Sequence, residues 1–280
     1  MKTFQRRKFK DEHGVEFSAC GDSTVLTRMP KDFIGAYRVP DFVSSIGLFA
    51  INGCNGLTSL VIPKSVTVIE KDNFKLCEQL ASLVVEQGNP MFDSRNNCNA
   101  IIVTATNTLV LGCNSSSIPE GIEVIADSAF SQRRNLSHIS IPDSVVYLGE
   151  FAFLGCYSLE SEIKLQGIYQ VTRSCFDGCS SLKKVSIGSG IESVESGAFA
   201  GCSMLSDVVV TESTKYIGTY AFDNCNSLAS ITLPKSIECI ESTAFDRCNR
   251  IERVFIPKGT TDYFMRFDAL KQYRHRFMEL

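Results

Sequence analysis

The 280-residue chain contains no tryptophan, three histidines and eight prolines, and it carries no large excess of either charge. His13, His138 and His275 are scattered, with no partner at short spacing. They leave little material for a histidine-rich metal site or a histidine-based hydrolase. No apolar run reaches eighteen residues, so the sequence contains no candidate membrane span. Twenty-eight basic residues against thirty-one acidic ones give a formal charge of −3, which provides no field to steer the chain toward nucleic acid or an anionic membrane. The glycine-rich phosphate loop, His-Glu-x-x-His, the calcium loop and the Gly-x-Ser-x-Gly elbow are also missing, and nothing calls for a cofactor or a metal. A catalytic site would have to be assembled from scattered carboxylates such as Glu160, Glu162, Glu192 and Glu195, and the reading is of a non-enzyme.

What the chain does have is repetition. With 44% hydrophobic and 21% charged residues it has the composition of a folded protein. Phe130, Phe153, Phe176, Phe199, Phe222 and Phe245 follow one another at steps of 23 residues. Leu136, Leu159, Leu182, Leu205, Leu228 and Ile251 keep the same step, as do Cys156, Cys179, Cys202, Cys225 and Cys248. The unit recurs upstream at Phe49, Cys54 and Leu57, and again at Phe74, Cys77 and Leu80, which makes eight units between Phe49 and Pro257. Each reads as a turn, Ala-Phe-x-x-Cys-x-x-Leu, followed by an alternating strand that proline stops at Pro63, Pro142, Pro234 or Pro257. A second apolar pair, such as Val145 with Leu148, predicts another short extended segment.

No 23-residue piece can bury its own apolar face, whereas pieces stacked in register share a continuous core. The expectation is a single repetitive domain, a solenoid of stacked 23-residue units with short β-strands and turn or 3-10 segments. Residues 1–45 form an N-terminal cap and 46–258 about eight repeats. Residues 259–280 form a C-terminal capping helix, read from Phe264, Phe267, Leu270, Phe277 and Leu280. Arg266, Lys271, Arg274, His275 and Arg276 would give that helix a charged outer side; the other reading of these residues is a membrane-surface or partner helix.

The period fails between Leu80 and Phe130. There Ala100–Thr104 and Thr108–Leu111 predict a β-hairpin insertion within 89–113. Cys98 and Cys113 flank it, where a disulfide could form in an oxidising compartment. Asp93, Arg95, Asn96, Asn97 and Asn99 are read as stabilising its turns. The ladder cysteines are read as buried thiols and the phenylalanines as core.

If Leu182, Val185 and Ile187 point inward, Lys184 and Ser186 point out. The matching outward pairs are Ser59/Val61, Ser82/Val84, His138/Ser140, Asp207/Val209, Ser230/Thr232 and Arg253/Phe255, with Glu162 and Lys164 in an irregular coil. Val61, Val84, Val209 and Phe255, with the polar His138 and Lys184, are therefore the candidate protein contacts. Exposed apolar residues on a strand also follow from β-propensity alone.

Units of the form Ile-x-x-x-Ala-Phe-x-x-Cys-x-x-Leu-x-x-Ile-x-Ile-Pro, as in Ile240-Glu-Ser-Thr-Ala-Phe-Asp-Arg-Cys-Asn-Arg-Ile-Glu-Arg-Val-Phe-Ile-Pro257, resemble the BspA-like leucine-rich repeat family found in surface proteins of anaerobic gut and oral bacteria. The insertion after Asn89 and the ending Ile256-Pro-Lys-Gly-Thr260 are similar to elements of its Bacteroides members. The resemblance implies a leucine-rich-repeat solenoid and a non-catalytic, adhesin-like binding module. Such a module engages a host or neighbouring macromolecule, with a protein as the expected partner, through its strand-lined face, at the cell surface or secreted. Met1–Lys10 does not read as a secretion signal, so the alternative is a cytoplasmic scaffold without a dedicated ligand.

Overall fold

A stack of identical turns is held by bonds that run from each coil to the next. In the Ala-Phe-x-x-Cys turns, Phe153 N–H donates to Cys175 O at 2.8 Å, Phe176 N–H to Ala198 O at 2.8 Å and Phe199 N–H to Ala221 O at 2.8 Å. Two residues in each of four successive turns take left-handed backbone angles, in the columns Phe151, Ser174, Gly197, Tyr220 and Gly155, Gly178, Gly201, Asn224, and the second column continues to Arg247. These bends let alternate N–H groups point along the stack. A computed structural model describes residues 6–70 and 73–280, apart from the Asp207 side chain. The first half of the Met1–Lys10 stretch lies outside the described residues. The chain forms two compact units, Met1–Ser117 and Ile118–Leu280.

In the second unit the strands Ile163–Leu165, Lys184–Ile187, Asp207–Val209, Ser230–Thr232 and Arg253–Ile256 pair in parallel, in that order. A second parallel ladder runs through Gln170–Val171, Ser193–Val194, Tyr216–Ile217 and Cys239–Ile240. Inside, six phenylalanines from Phe130 to Phe245 stack face to face, with successive ring centroids 4.9, 5.1, 5.4, 5.5 and 5.5 Å apart and planes within 11°. That spacing follows the strand repeat, which brings equivalent side chains of neighbouring coils into contact.

The cysteine column is buried, and its thiols have a specific acceptor. Cys156 Sγ donates to Phe130 O at 3.2 Å, Cys179 Sγ to Phe153 O at 3.2 Å, Cys202 Sγ to Phe176 O at 3.2 Å and Cys225 Sγ to Phe199 O at 3.3 Å. Each thiol thus satisfies the carbonyl of the ladder phenylalanine in the preceding coil. Arg133 takes the place of the cysteine in the Phe130 coil and is buried at 1% exposure.

The solenoid extends beyond the expected eight repeats, to about 11 turns counted over both units. The parallel pairing already begins inside the expected cap: Ile34–Arg38 pairs with Gly56–Ile62, and Ser45–Ile46 with Val68–Ile69. These coils lack the Phe-Cys signature but share the backbone ladder, which needs no particular side chain. The cap proper is the antiparallel set Arg7–Lys10, Glu16–Cys20 and Ser23–Arg28.

The insertion is the expected hairpin, Ala100–Val103 against Thr108–Gly112, with a bulge at Ile101/Ile102. Arg95 grips Asp93 through Nε–Oδ1 at 2.8 Å and Nη2–Oδ2 at 2.6 Å, and its Nη1 reaches Asn107 Oδ1 at 3.0 Å. Burial opposes ionisation of Asp93, yet the Arg95 guanidinium and the Thr104 hydroxyl hold its carboxyl below the usual range. Asn96, Asn97 and Asn99 all adopt left-handed backbone angles, as asparagine turns permit. Cys98 and Cys113 are buried and not disulfide-bonded; their thiols bond Ala100 O at 3.8 Å and Asn99 O at 3.2 Å.

The expected C-terminal capping helix is present and small, Thr261–Met265; it leads into a 3-10 stretch Asp268–Arg276 and then a strand, Phe277–Glu279, paired in parallel with Arg253–Ile256. A helix would have left the last repeat strand open, and the final strand covers that edge. Arg266 stacks over Tyr263 at 3.8 Å, Lys271 pairs with Asp268 at 2.5 Å, and Arg276 bonds Ile251 O, so these charges serve the cap itself. One expectation is corrected: His138–Ser140 does not form the expected strand, because Ile139 N–H is taken by the Ser161 hydroxyl at 3.0 Å. His138 still points outward and is exposed.

Candidate binding faces

Alternation along the repeat strands places every second side chain outside, and register stacks these side chains into rows. In the second unit one row runs Lys164, Ser186, Val209, Thr232, Phe255 and Met278. Val209 is 45% and Met278 46% exposed, Phe255 is half-buried, and Arg253 lies over the Phe255 ring at 5.9 Å. An apolar stripe is therefore displayed on a rigid sheet, with Thr232 between Val209 and Phe255. Met278 belongs to it because the final strand extends the ladder.

Lys184 falls in the neighbouring outward row, where it pairs with Glu162 at 3.2 Å. His138 Nε2 lies 3.7 Å from Glu160 Oε1, and Lys183 reaches the same carboxylate at 3.7 Å. These exposed pairs decorate the sheet and contribute little to stability. The Asp207 side chain lies outside the described residues.

In the first unit Val61 and Val84 stand opposite one another in register, as the alternation predicted, with Arg38 opposite Val61 on the other side. Arg38 is held by Asp41 and Glu86, each at 2.7 Å. Val84 is 40% exposed and Val61 half-buried. The six predicted contact residues thus fall on two units, and within the second only Val209 and Phe255 share a row.

Three of the buried thiols, Cys54, Cys175 and Cys202, are held in the unreactive protonated form. Burial pushes the Cys175 and Cys54 thiols up to about 12, and Cys202 higher still. The thiolate is the reactive form, so these groups are inert at neutral pH. Of the twelve cysteines only Cys20 is exposed and Cys239 partly so, while ten are buried. Titration of the native protein with a thiol-specific disulfide reagent is expected to modify Cys20 promptly and Cys239 slowly, and the other ten only after denaturation. Prompt reaction of more than two thiols would contradict this packing. No cluster of histidine, cysteine and carboxylate residues among the described residues can hold a metal ion, and no described helix is long and apolar enough to cross a membrane.

The family described as "BspA type Leucine rich repeat region" matches in six copies, over residues 34–110, 110–226 and 204–267. Among solved structures, a leucine-rich repeat protein from Eubacterium ventriosum is 27% identical with a TM-score of 0.63, covering 76% of this chain and 64% of its own. The chain therefore spans less than two thirds of that protein. The pneumococcal vaccine antigen PcpA is 16% identical with a TM-score of 0.54, over 88% of this chain and 66% of its own. A leucine rich cell surface protein from Faecalibacterium prausnitzii is 19% identical with a TM-score of 0.42, over 95% of this chain and 93% of its own. No curated protein matches the sequence.

Proposed function

The chain belongs to the BspA-type leucine-rich repeat family, and from that premise we propose that it is a non-catalytic, adhesin-like binding module. It works at the cell surface or after secretion and engages a host or neighbouring protein through its strand-lined face. The observation that carries the reading is the outward row Val209, Thr232, Phe255, Met278, an exposed apolar stripe in strict register on a rigid ladder. Rigid display avoids the ordering cost of a flexible epitope, so modest apolar contacts suffice for binding. Fold alone does not assign a function, and here the stripe supplies the site.

The test is capture by the immobilised chain from serum and extracellular-matrix proteins, in parallel with lysate of the source cell. Saturable capture of an extracellular protein is expected, weakened at least about tenfold by Val209→Ser combined with Phe255→Ser, the loss of two buried contacts at an interface core. Capture that is saturable but indifferent to this pair would move the site off the stripe. Val61→Ser with Val84→Ser then tests the patch on the first unit. Capture solely from the cell's own lysate would replace the adhesin with an internal scaffold.

A further inference from the structure

On the turn side of the second unit lies an open notch of about 850 Å³. One coil is small here, while Arg173 and Asp177 stand on the coil before it and Tyr220, Asp223 and Asn224 on the coil after. Ser196, Gly197, Ala200 and Gly201 line its floor, between the coil of Asp177 and the coil of Tyr220 and Asp223. Ala200 stands 23 residues before Asp223 and 23 after Asp177, in the same column as both carboxylates.

The fold itself shows what such a carboxylate takes. Asp223, 7% exposed, is gripped by the guanidinium of Arg247 from the following coil, through Nε–Oδ1 at 2.8 Å and a second contact between Nη2 and Oδ2. Arg247 lies 24 positions after Asp223, and the same step from Asp177 arrives at Gly201. There no side chain exists, and a methyl built on Gly201 would lie 3.9 Å from Asp177 Oδ1. Asp177 therefore faces the space in which its equivalent holds an arginine. Burial raises its carboxyl above the usual range and the charge of Asp223 adds to this, with the Ser174 hydroxyl opposing. Arg173, also on the wall, is turned over the Phe151 ring at 5.6 Å. Tyr220, 46% exposed, offers an aromatic face at the rim, suited to a guanidinium.

We propose that this notch is a binding site for an arginine side chain of a partner protein, with the Asp177 carboxylate taking the incoming guanidinium in the way Asp223 takes Arg247. A guanidinium matches a carboxylate with two parallel bonds, which an ammonium cannot do. The site is on a different side of the coil from the apolar stripe and does not depend on it.

The test uses the full chain and Nα-acetyl-arginine amide, titrated by NMR, with the neutral isostere Nα-acetyl-citrulline amide as control. Saturable, weak binding of the arginine probe is expected, with shifts confined to the notch and affinity at least about tenfold above that of citrulline. Asp177→Asn should abolish the difference between the two probes. Ala200→Leu fills the notch with the residue that Leu154 already places in that column, and Gly201→Arg supplies the missing guanidinium from within. Arg247 has a left-handed φ of 58° in the same column as Gly201, whose φ is 68°, so the backbone accepts the change. Both variants should lose arginine binding while keeping the wild-type unfolding midpoint or exceeding it. Equal binding of citrulline, no saturable binding, or undiminished binding in folded Asp177→Asn and Gly201→Arg protein would each overturn the proposal. Capture through the stripe should be untouched by Gly201→Arg, which separates failure of this site from failure of the strand face.

Discussion

Phe199→Ala is expected to destabilise the second unit by about 3–5 kcal/mol, the range for removing a fully buried phenylalanine from a packed core. Phe199 has no exposed surface, and its ring lies between Phe176 and Phe222 at 5.4 and 5.5 Å. Truncation strips two stacking contacts at once and opens a void in the middle of the ladder, where coils on both sides are fixed by their own backbone bonds and cannot close in. Denaturant titration checks the result through the unfolding midpoint. Tyr220→Ala, in the same turns but half-exposed, should cost within about 0.5 kcal/mol as an ordinary surface change. A Phe199→Ala shift no larger than that of Tyr220→Ala would mean that the ring ladder is not what holds the coils.

Gly149→Ala is expected to cost about 2–4 kcal/mol, as forced overpacking against backbone does at the upper end of its range. A methyl on Gly149 would lie 2.3 Å from Asp127 N and 2.4 Å from Ala126 C, main-chain atoms of the preceding coil. Backbone cannot swing aside as a flexible side chain does, so the two coils must separate there. Such separation would strain the bond from Gly149 N–H to Ile125 O, now 2.8 Å. Ala126, one repeat earlier in the same column, supplies the control: Ala126→Ser is expected to remain within about 0.5 kcal/mol. Melting both variants beside the parent decides the matter, and equal midpoints for all three would refute the close approach.

The phenylalanine, leucine and cysteine columns were legible in the sequence because each side chain packs against its own equivalent 23 residues away. Periodicity is then contact. Where a partner sits off the period, the sequence spoke less clearly: each ladder thiol bonds the carbonyl 26 residues back, one coil plus a turn. The coils at Ile34–Arg38 and Phe277–Glu279 look like caps in the sequence because they repeat in backbone bonding and not in side chains. His138–Ser140 alternates like its neighbours, but a serine hydroxyl from the adjoining coil claims the N–H that a strand would need. Arg133 occupies a cysteine position that counting alone would have given to a small thiol. Of the candidate contacts, the pairing of Val61 with Val84 followed directly from alternation, and so did the shared row of Val209 and Phe255. Met278 was hidden within an expected helix. The notch carries no motif: it is defined by the small side chains of Ser196, Gly197 and Ala200 beside Arg173, Asp177, Tyr220 and Asp223, a contrast visible only when columns are compared coil by coil.

The thiol-to-carbonyl bond of each coil ends on the coil before it, and the phenylalanine ring does the same. In these two contacts every junction in the Phe153 to Phe222 stretch repeats the next. An in-frame duplication or loss of one 23-residue segment there would recreate the same core junction, changing only the residues the coil displays outside. Length is accordingly the property this architecture can vary most cheaply in evolution. A lineage could lengthen or shorten its display surface by whole coils while keeping both ends as they are.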